Sequence, residues 1–126
     1  MEQQPILLPH HHHENSEIIH HIPDPDNFQQ AAEVLKLLGD GSRIRIFWIL
    51  CHCEECVINI ASLTGMSSPA ASHHLKLLKA NGLITSRRAG KEMYYTAADN
   101  SKARLLHQTI EQMLTITCPL DTDPMK

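Results

Sequence analysis

Residues 57–96 contain the pattern that most constrains the fold of this chain. Residues 57–63 are predicted to form a short helix, and Thr64-Gly65-Met66 a tight turn in which glycine supplies the unusual backbone angles. A second helix is expected over 68–80, followed directly by two strands around a turn at Gly90. Two helices joined by a three-residue turn, with a hairpin behind them, predict a winged helix-turn-helix.

The flanking sequence predicts further helices on both sides of this unit. Apolar residues over 28–38 recur with a helical period, and Gly39 is expected to close that helix. Asp40 or Ser42 can cap a second, largely apolar helix that includes residues 44–50. A last helix is expected over 100–117 and ends before Pro119. The predicted fold is mainly α with a small β-hairpin wing, in the order α-α-α-α-β-β-α.

Composition and charge indicate one folded block with two loose ends. Residues 1–26 are rich in His, Pro and acids, so we expect a flexible His-rich N-terminal arm. Residues 27–118 form the predicted DNA-binding and dimerisation domain, and 119–126 a flexible tail. The formal net charge is −3, but 27–118 carries ten Lys and Arg against seven Asp and Glu, so the predicted domain is mildly basic and compatible with DNA binding.

The sequence predicts a cytoplasmic protein. No stretch approaches 18 consecutive apolar residues, so no membrane span is expected. The first nine residues lack the basic and apolar regions of a signal peptide.

The second helix of the predicted helix-turn-helix presents a polar face for DNA. Serine and histidine suit base edges and phosphates, while lysine and arginine suit phosphates. The basic hairpin tip would reach an adjacent stretch of the DNA backbone. The predicted DNA-binding residues are Ser68, Ser72, His73, Lys76, Lys79, Arg87, Arg88 and Lys91.

Three thiols lie within six residues, at Cys51, Cys53 and Cys56, immediately before the predicted helix-turn-helix. Thiols in a reducing compartment are more often metal ligands or redox centres than disulfides. Both spacings let neighbouring thiolates converge on one ion, and thiolates favour Zn(II), Cd(II), Pb(II), As(III) or Cu(I). The stretch therefore predicts a site for a thiophilic divalent or trivalent metal ion (the Zn, Cd, Pb or As class), although Cys51 also suits an apolar core.

Four segments together resemble the ArsR/SmtB family of winged-helix repressors, over roughly residues 28–118. They are residues 40–46 (DGSRIRI), 56–61 (CVINIA), 72–78 (SHHLKLL) and 90–95 (GKEMYY). The resemblance implies a homodimer built largely from the first and last helices of the domain. It also implies binding to an inverted-repeat DNA operator, which an inducer releases.

This sequence matches the family's sensor residues only in part. Some cadmium, lead and arsenic sensors of the family use a Cys-x-Cys pair, on which only Cys56 falls, because Ile58 occupies the second position. Zinc sensors of the family use a set of Asp and His ligands on the last helix, of which this chain matches only Asp99. We therefore expect that zinc site to be absent, and we interpret His107 alone as a packing or surface residue.

Other residues leave alternatives open. His10, His12 and His20 of the N-terminal arm are possible additional ligands, as some family members use such an arm, or else part of a tag-like segment or a metal scavenger. Cys118 is a further possible ligand. It also matches, in the family's thiol-based sensors, one end of a dithiol whose other member here would be Cys51 or Cys53, which predicts a redox-responsive or persulfide-responsive repressor.

The Cys and His residues are also typical of two other kinds of protein. A fixed structural zinc site without an inducer would make metal removal unfold the chain. An enzyme is not expected, because no nucleophile elbow, Gly-rich loop or acid pair accompanies the Cys and His residues.

Overall fold

The computed structural model describes residues 8–10 and 16–118. The helices are α1 (Ser16–Ile19), α2 (Pro25–Leu37), α3 (Gly41–His52), α4 (Val57–Thr64), α5 (Ser68–Ala80) and α6 (Ser101–Thr117). The strands are β1 (Glu55–Cys56), β2 (Ile84–Ala89) and β3 (Glu92–Ala97), which form an antiparallel sheet in the order β1-β3-β2. From α2 to α6 this contains the predicted order of helices and strands, with β1 added.

The chain divides into two compact units, residues 1–33 and residues 34–126. In the first unit the structure describes the short helix α1, which the sequence did not predict, and the start of α2 at Pro25. The second unit contains every other element. The predicted boundaries of the arm, the domain and the tail stay predictions, and residues 119–126 lie outside the described part. No helix in the described ranges is both long and apolar enough to cross a membrane.

Local sequence explains where the helices begin. The Asp40 carboxylate accepts a hydrogen bond from the Arg43 backbone N–H at 3.1 Å and caps α3. The Ser67 hydroxyl does the same for α5, accepting from the Ala70 N–H at 3.2 Å. Each cap satisfies a backbone donor that has no partner within the helix. Gly65 ends α4 at φ 68°, in the left-handed region where glycine has no steric penalty.

The core of the second unit is centred on α3, which contacts α4, α5, α6 and β3. Ile46, Phe47 and Leu50 of α3 are at most 1% exposed. They belong to one apolar cluster with residues of α4, α5, β2 and α6. Burial of each such side chain contributes about 1.5–3 kcal/mol. Through this core, α3 positions both the DNA-reading elements and α6.

Candidate functional site

The second helix of the helix-turn-helix, α5, is held by one apolar face. Ala71, Leu75 and Leu78 are at most 1% exposed. The opposite face is free for DNA, and the predicted contacts on it are all exposed: Ser68, Ser72, His73, Lys76 and Lys79. The structure therefore gives these five side chains the access that DNA contact requires, while the contacts themselves stay a prediction.

The wing is formed by β2, β3 and the Gly90 turn. Arg87, Arg88 and Lys91, the three predicted contacts in this region, are exposed. The Lys79 ammonium donates to the Ser86 hydroxyl at 2.6 Å, which joins α5 to the wing. The two elements that are expected to meet DNA are thus connected to each other directly.

His74 is the histidine of α5 that faces away from the predicted DNA surface. Its Nδ1 accepts a hydrogen bond from Arg43 Nε at 3.2 Å, and Arg43 also donates to the Leu37 carbonyl at 2.8 Å. Burial lowers the pKa of His74, and the charge of Arg43 lowers it further. His74 therefore connects α5 to α3, whereas its neighbour His73 remains exposed for DNA.

One wing arginine already has an anionic partner in the free protein. The Arg87 guanidinium donates to both carboxylate oxygens of Glu54, with Nε–Oε2 at 2.8 Å and Nη2–Oε1 at 2.5 Å. It also lies 5.3 Å from the centroid of the Tyr94 ring. The hydrogen bond from Arg87 lowers the pKa of Glu54. Because Glu54 lies between Cys53 and Cys56, this ion pair connects the thiol stretch (residues 51–56) to the wing.

The thiol stretch changes backbone conformation between its cysteines. Cys51 is half-buried on α3, and Cys53 is the exposed C-cap of that helix, with its thiol donating to the Ile49 carbonyl at 3.3 Å. The backbone of Cys53 is extended, and the chain continues into β1, where Cys56 pairs with Tyr94. Cys56 is 8% exposed and occupies the N-cap position of α4.

The three predicted thiol ligands do not converge in this conformation. Within the described residues, only one set of three His, Cys, Asp or Glu side chains brings its ligand atoms within 4.8 Å of one another, and it contains no cysteine. The pKa of the Cys51 thiol is raised to about 11, first by burial and second by the charge of Glu111. Cys51 is therefore a neutral thiol at pH 7 in the metal-free protein.

The other possible ligands lie apart from one another along the chain. Cys118 is an exposed free thiol at the C-cap of α6, and all four cysteines are free. His10 and His20 are exposed. His12 lies outside the described residues.

The set that the structure does bring together consists of His52, His107 and Glu111, which we call the His–Glu cluster. His52 ends α3, whereas His107 and Glu111 lie one turn apart on α6. The Glu111 Oε1 atom lies 3.2 Å from His52 Nε2 and 3.1 Å from His107 Nε2, and the two Nε2 atoms are 3.3 Å apart. Side-chain exposure is 45% for His52 and Glu111 and 31% for His107.

Trp48 supports this cluster from one turn earlier on α3. Its indole N–H donates to Glu111 Oε1 at 3.0 Å, and its ring centroid lies 4.3 Å from that of His52. Burial raises the pKa of Glu111, but the hydrogen bonds from His52, His107 and Trp48 outweigh that effect, so the net shift is downward. Glu111 is therefore a carboxylate at neutral pH, oriented by three neighbours.

Sequence reasoning missed this cluster because His52 is far from the other two members along the chain. The sequence predicts a packing or surface role for His107 alone, and it assigns no role to His52. The available signal was the His107 and Glu111 pair at a spacing of four on one helix, which places both side chains on the same face. Pairing that face with the end of α3 required the tertiary packing.

Comparison with known proteins identifies the family. The family model for bacterial regulatory proteins of the arsR family matches residues 40–86. A transcriptional repressor SmtB homolog from Synechocystis sp. is 35% identical over 88 residues, which cover 70% of this chain and 67% of the relative. A cadmium resistance transcriptional regulatory protein CadC homolog from Staphylococcus aureus is 36% identical over 83 residues, covering 65% of this chain and 69% of the relative.

A solved structure is similar over most of the fold. It is the homodimeric winged helix-turn-helix DNA-binding domain of a possible ArsR-family transcriptional regulator from Mycobacterium bovis. The TM-score is 0.64 at 31% sequence identity, with 78% of this chain and 90% of that chain covered. These findings confirm both the predicted fold and the resemblance noted in the sequence. The chain therefore belongs to the ArsR family of bacterial regulatory proteins, which are DNA-binding transcriptional regulators rather than enzymes.

Proposed function

We propose that this chain is a homodimeric transcriptional repressor that binds an inverted-repeat operator and releases it when a thiophilic metal ion binds at Cys51, Cys53 and Cys56. The ion belongs to the Zn, Cd, Pb or As class, and Cys118 and the arm residues His10, His12 and His20 are further candidate ligands. The relatives support a metal response by their names, since one is a homolog of a cadmium resistance regulator.

The observation that carries this proposal is the position of the thiol stretch between the two DNA-reading elements. Cys56 begins α4, the first helix of the helix-turn-helix, and its strand β1 pairs with β3 of the wing. Glu54 binds the wing through Arg87. A ligand held by this stretch would therefore act on residues that touch both elements. The separated thiols do not fit a closed three-sulfur site in this conformation, so the proposal rests on their position.

The outer face of α6 supports the proposed homodimer. Leu105, Met113 and Ile116 of this helix are 61%, 55% and 72% exposed. Large apolar side chains spaced along one exposed helix face are typical of surfaces that a partner covers. The similar domain from Mycobacterium bovis is itself homodimeric. A two-fold dimer would present two copies of α5, which matches an inverted repeat in DNA.

The test is operator affinity at fixed salt concentration, with and without a panel of thiophilic ions. We expect the effective ion to weaken binding of the natural sequence by about 5–150-fold, the range that corresponds to coupling of 1–3 kcal/mol. The variant Cys51→Ser/Cys53→Ser/Cys56→Ser should bind the operator normally and show no response. Cys118→Ser shows separately whether this further candidate ligand contributes to the response. Release of the triple variant by the same ion would contradict the proposal.

A second candidate is a redox or persulfide response through Cys118 with Cys51 or Cys53. The exposure of Cys53 and Cys118 favours it, because both thiols are accessible to an oxidant. The raised pKa of Cys51 disfavours that residue as the attacking thiolate. Mass spectrometry after mild oxidation should show a Cys53–Cys118 linkage if this candidate is correct, and the absence of any Cys118 linkage would exclude it.

A further inference from the structure

We propose that His52, His107 and Glu111 form a second metal site, which binds Zn(II) and joins α3 to α6 within one chain. The site contains no thiol and goes beyond the proposed function, since it would bind zinc whether or not the thiol stretch is the sensor. Two imidazole nitrogens and one carboxylate oxygen are donors that Zn(II) accepts readily, and three protein ligands leave a fourth position for water or another ligand.

The distances among the three donor atoms match the edges of a zinc coordination tetrahedron. Zinc–nitrogen and zinc–oxygen bonds of about 2.0–2.1 Å place neighbouring tetrahedral ligands about 3.3–3.4 Å apart. The donor atoms here are separated by 3.3 Å between His52 Nε2 and His107 Nε2, and by 3.2 and 3.1 Å from these nitrogens to Glu111 Oε1. An ion can therefore bind with shifts of a few tenths of an ångström.

The donor types of the cluster also suit a cation. A divalent ion accepts a lone pair from each Nε2 together with the charge of the Glu111 carboxylate, and neutral Nε2 is a common metal-ligating form of histidine.

The surroundings keep the donors in place and allow an ion to enter. The Trp48 N–H holds the Glu111 oxygen at 3.0 Å, which is the kind of outer hydrogen bond that orients a metal ligand. His107 and Glu111 are fixed one turn apart on α6. The exposure of all three side chains leaves the cluster open to solvent.

Trp48 provides a local readout because it is the only tryptophan of the chain and touches two members of the cluster. The parent for the test is the full chain with all four cysteines changed to serine, which removes thiol ligands. Zn(II) is titrated against a competing chelator while Trp48 fluorescence and the melting temperature are followed. We expect a saturable fluorescence change at one equivalent per chain and a zinc-dependent rise in the melting temperature.

Variants of the cluster make the assignment specific. His52→Ala, His107→Ala and the nearly isosteric Glu111→Gln should each weaken the zinc affinity that Trp48 reports by at least about tenfold. His73→Ala, which removes an exposed histidine of α5, should leave it unchanged. Zinc binding by the N-terminal histidines alone would leave the Trp48 signal flat, and a flat signal overturns this proposal. Unchanged zinc affinity in Glu111→Gln, with a metal-free circular dichroism spectrum like the parent's, overturns it as well.

The outcome is separable from that of the proposed function. Zinc binding at Trp48 in the cysteine-free parent supports this site even if that parent still releases its operator, a result that would contradict the thiol proposal alone. Conversely, loss of the Trp48 response refutes this site and leaves the thiol proposal standing.

Discussion

The thiol stretch and the His–Glu cluster both begin at the C-terminal end of α3, but their donor groups are arranged in opposite ways. In the thiol stretch the donors are neighbours in sequence, and the turn from helix to extended strand separates them. In the cluster, His52 lies 55 and 59 residues before His107 and Glu111, and the packing of α6 against α3 brings the three donor atoms within 3.3 Å of one another. Donors that are close in sequence and donors that are close in space therefore predict two different candidate metal sites in this chain.

The two regions also connect to different parts of the fold. The thiol stretch continues into α4 and binds the wing through Glu54, so it is linked to the elements that are expected to meet DNA. The His–Glu cluster links α3 to α6, whose exposed apolar face is the proposed dimer surface. An ion in the thiol stretch would affect the DNA contacts of its own chain. An ion in the His–Glu cluster would affect α6, the helix that carries the proposed dimer surface.

The largest expected effect comes from the shared support of both regions. Leu50 is 1% exposed and lies on α3 between Trp48 and Cys51. Leu50→Ala should lower the free energy of unfolding by about 2–5 kcal/mol, because it removes buried apolar contacts and leaves a cavity. Urea denaturation of the metal-free protein measures this. Leu63→Ala, at a leucine that is 52% exposed, is the matched control and should cost much less. Equal losses in the two variants would mean that α3 is not the common support.

The next prediction tests the outer support of the His–Glu cluster. Trp48→Phe keeps an aromatic ring beside His52 but removes the N–H that holds Glu111. Zinc affinity of the cysteine-free parent should fall by about 10–100-fold, as is typical when a hydrogen bond to a metal ligand is lost. Chelator competition measures the affinity, since the fluorescent probe is gone. An unchanged zinc affinity would show that Glu111 needs no orientation by Trp48.

The third prediction concerns Cys51, where the two regions influence each other. Burial, and secondarily the charge of Glu111, raises the pKa of its thiol to about 11, against an ordinary value of 9.0. The thiolate fraction at pH 8 is then about 100-fold lower than that of an ordinary thiol, and the greater nucleophilicity of a more basic thiolate offsets roughly tenfold of that. We expect metal-free Cys51 to be alkylated about tenfold more slowly than an exposed thiol.

Single-cysteine chains measure this difference. One chain retains only Cys51, and the control retains only the exposed Cys53. Since a nearby negative charge disfavours the thiolate, Glu111→Gln should lower the pKa of Cys51 and accelerate its alkylation, while burial keeps it slower than Cys53. The rate should rise with pH to a plateau only above the raised pKa. A Cys51 thiol that reacts as fast as Cys53 at pH 8 would restore Cys51 as a member of a reactive dithiol.

The fold was predictable because its signals are local. The cap at Asp40, the turn at Gly65 and the alternation of buried and exposed residues along α5 each depend on a few neighbouring residues, and all are found as expected. The strand β1 was missed because two residues carry no recognisable period, and only pairing with Tyr94 and Tyr95 defines them. The His–Glu cluster was missed for a related reason, since no local pattern encodes the contact between α3 and α6. The DNA contacts and the thiol ligands remain predictions from residue type.

The smallest expected effect tests the link between the thiol stretch and the wing. Glu54→Gln removes the carboxylate that binds Arg87 in the free protein, so that Arg87 no longer has to leave an anionic partner to meet a DNA phosphate. Operator affinity should rise by roughly 2–5-fold, which is the scale of an exposed ion pair. Glu55→Gln is the matched control, because it makes the same charge change at the next residue. The Glu55 carboxylate accepts from Asn59 of α4 at 2.8 Å and is not the partner of Arg87. Equal gains in the two variants, measured at one salt concentration, would indicate a general charge effect. The ion pair between Glu54 and Arg87 would then not link the thiol stretch to DNA binding by the wing, a link that the His–Glu cluster does not have.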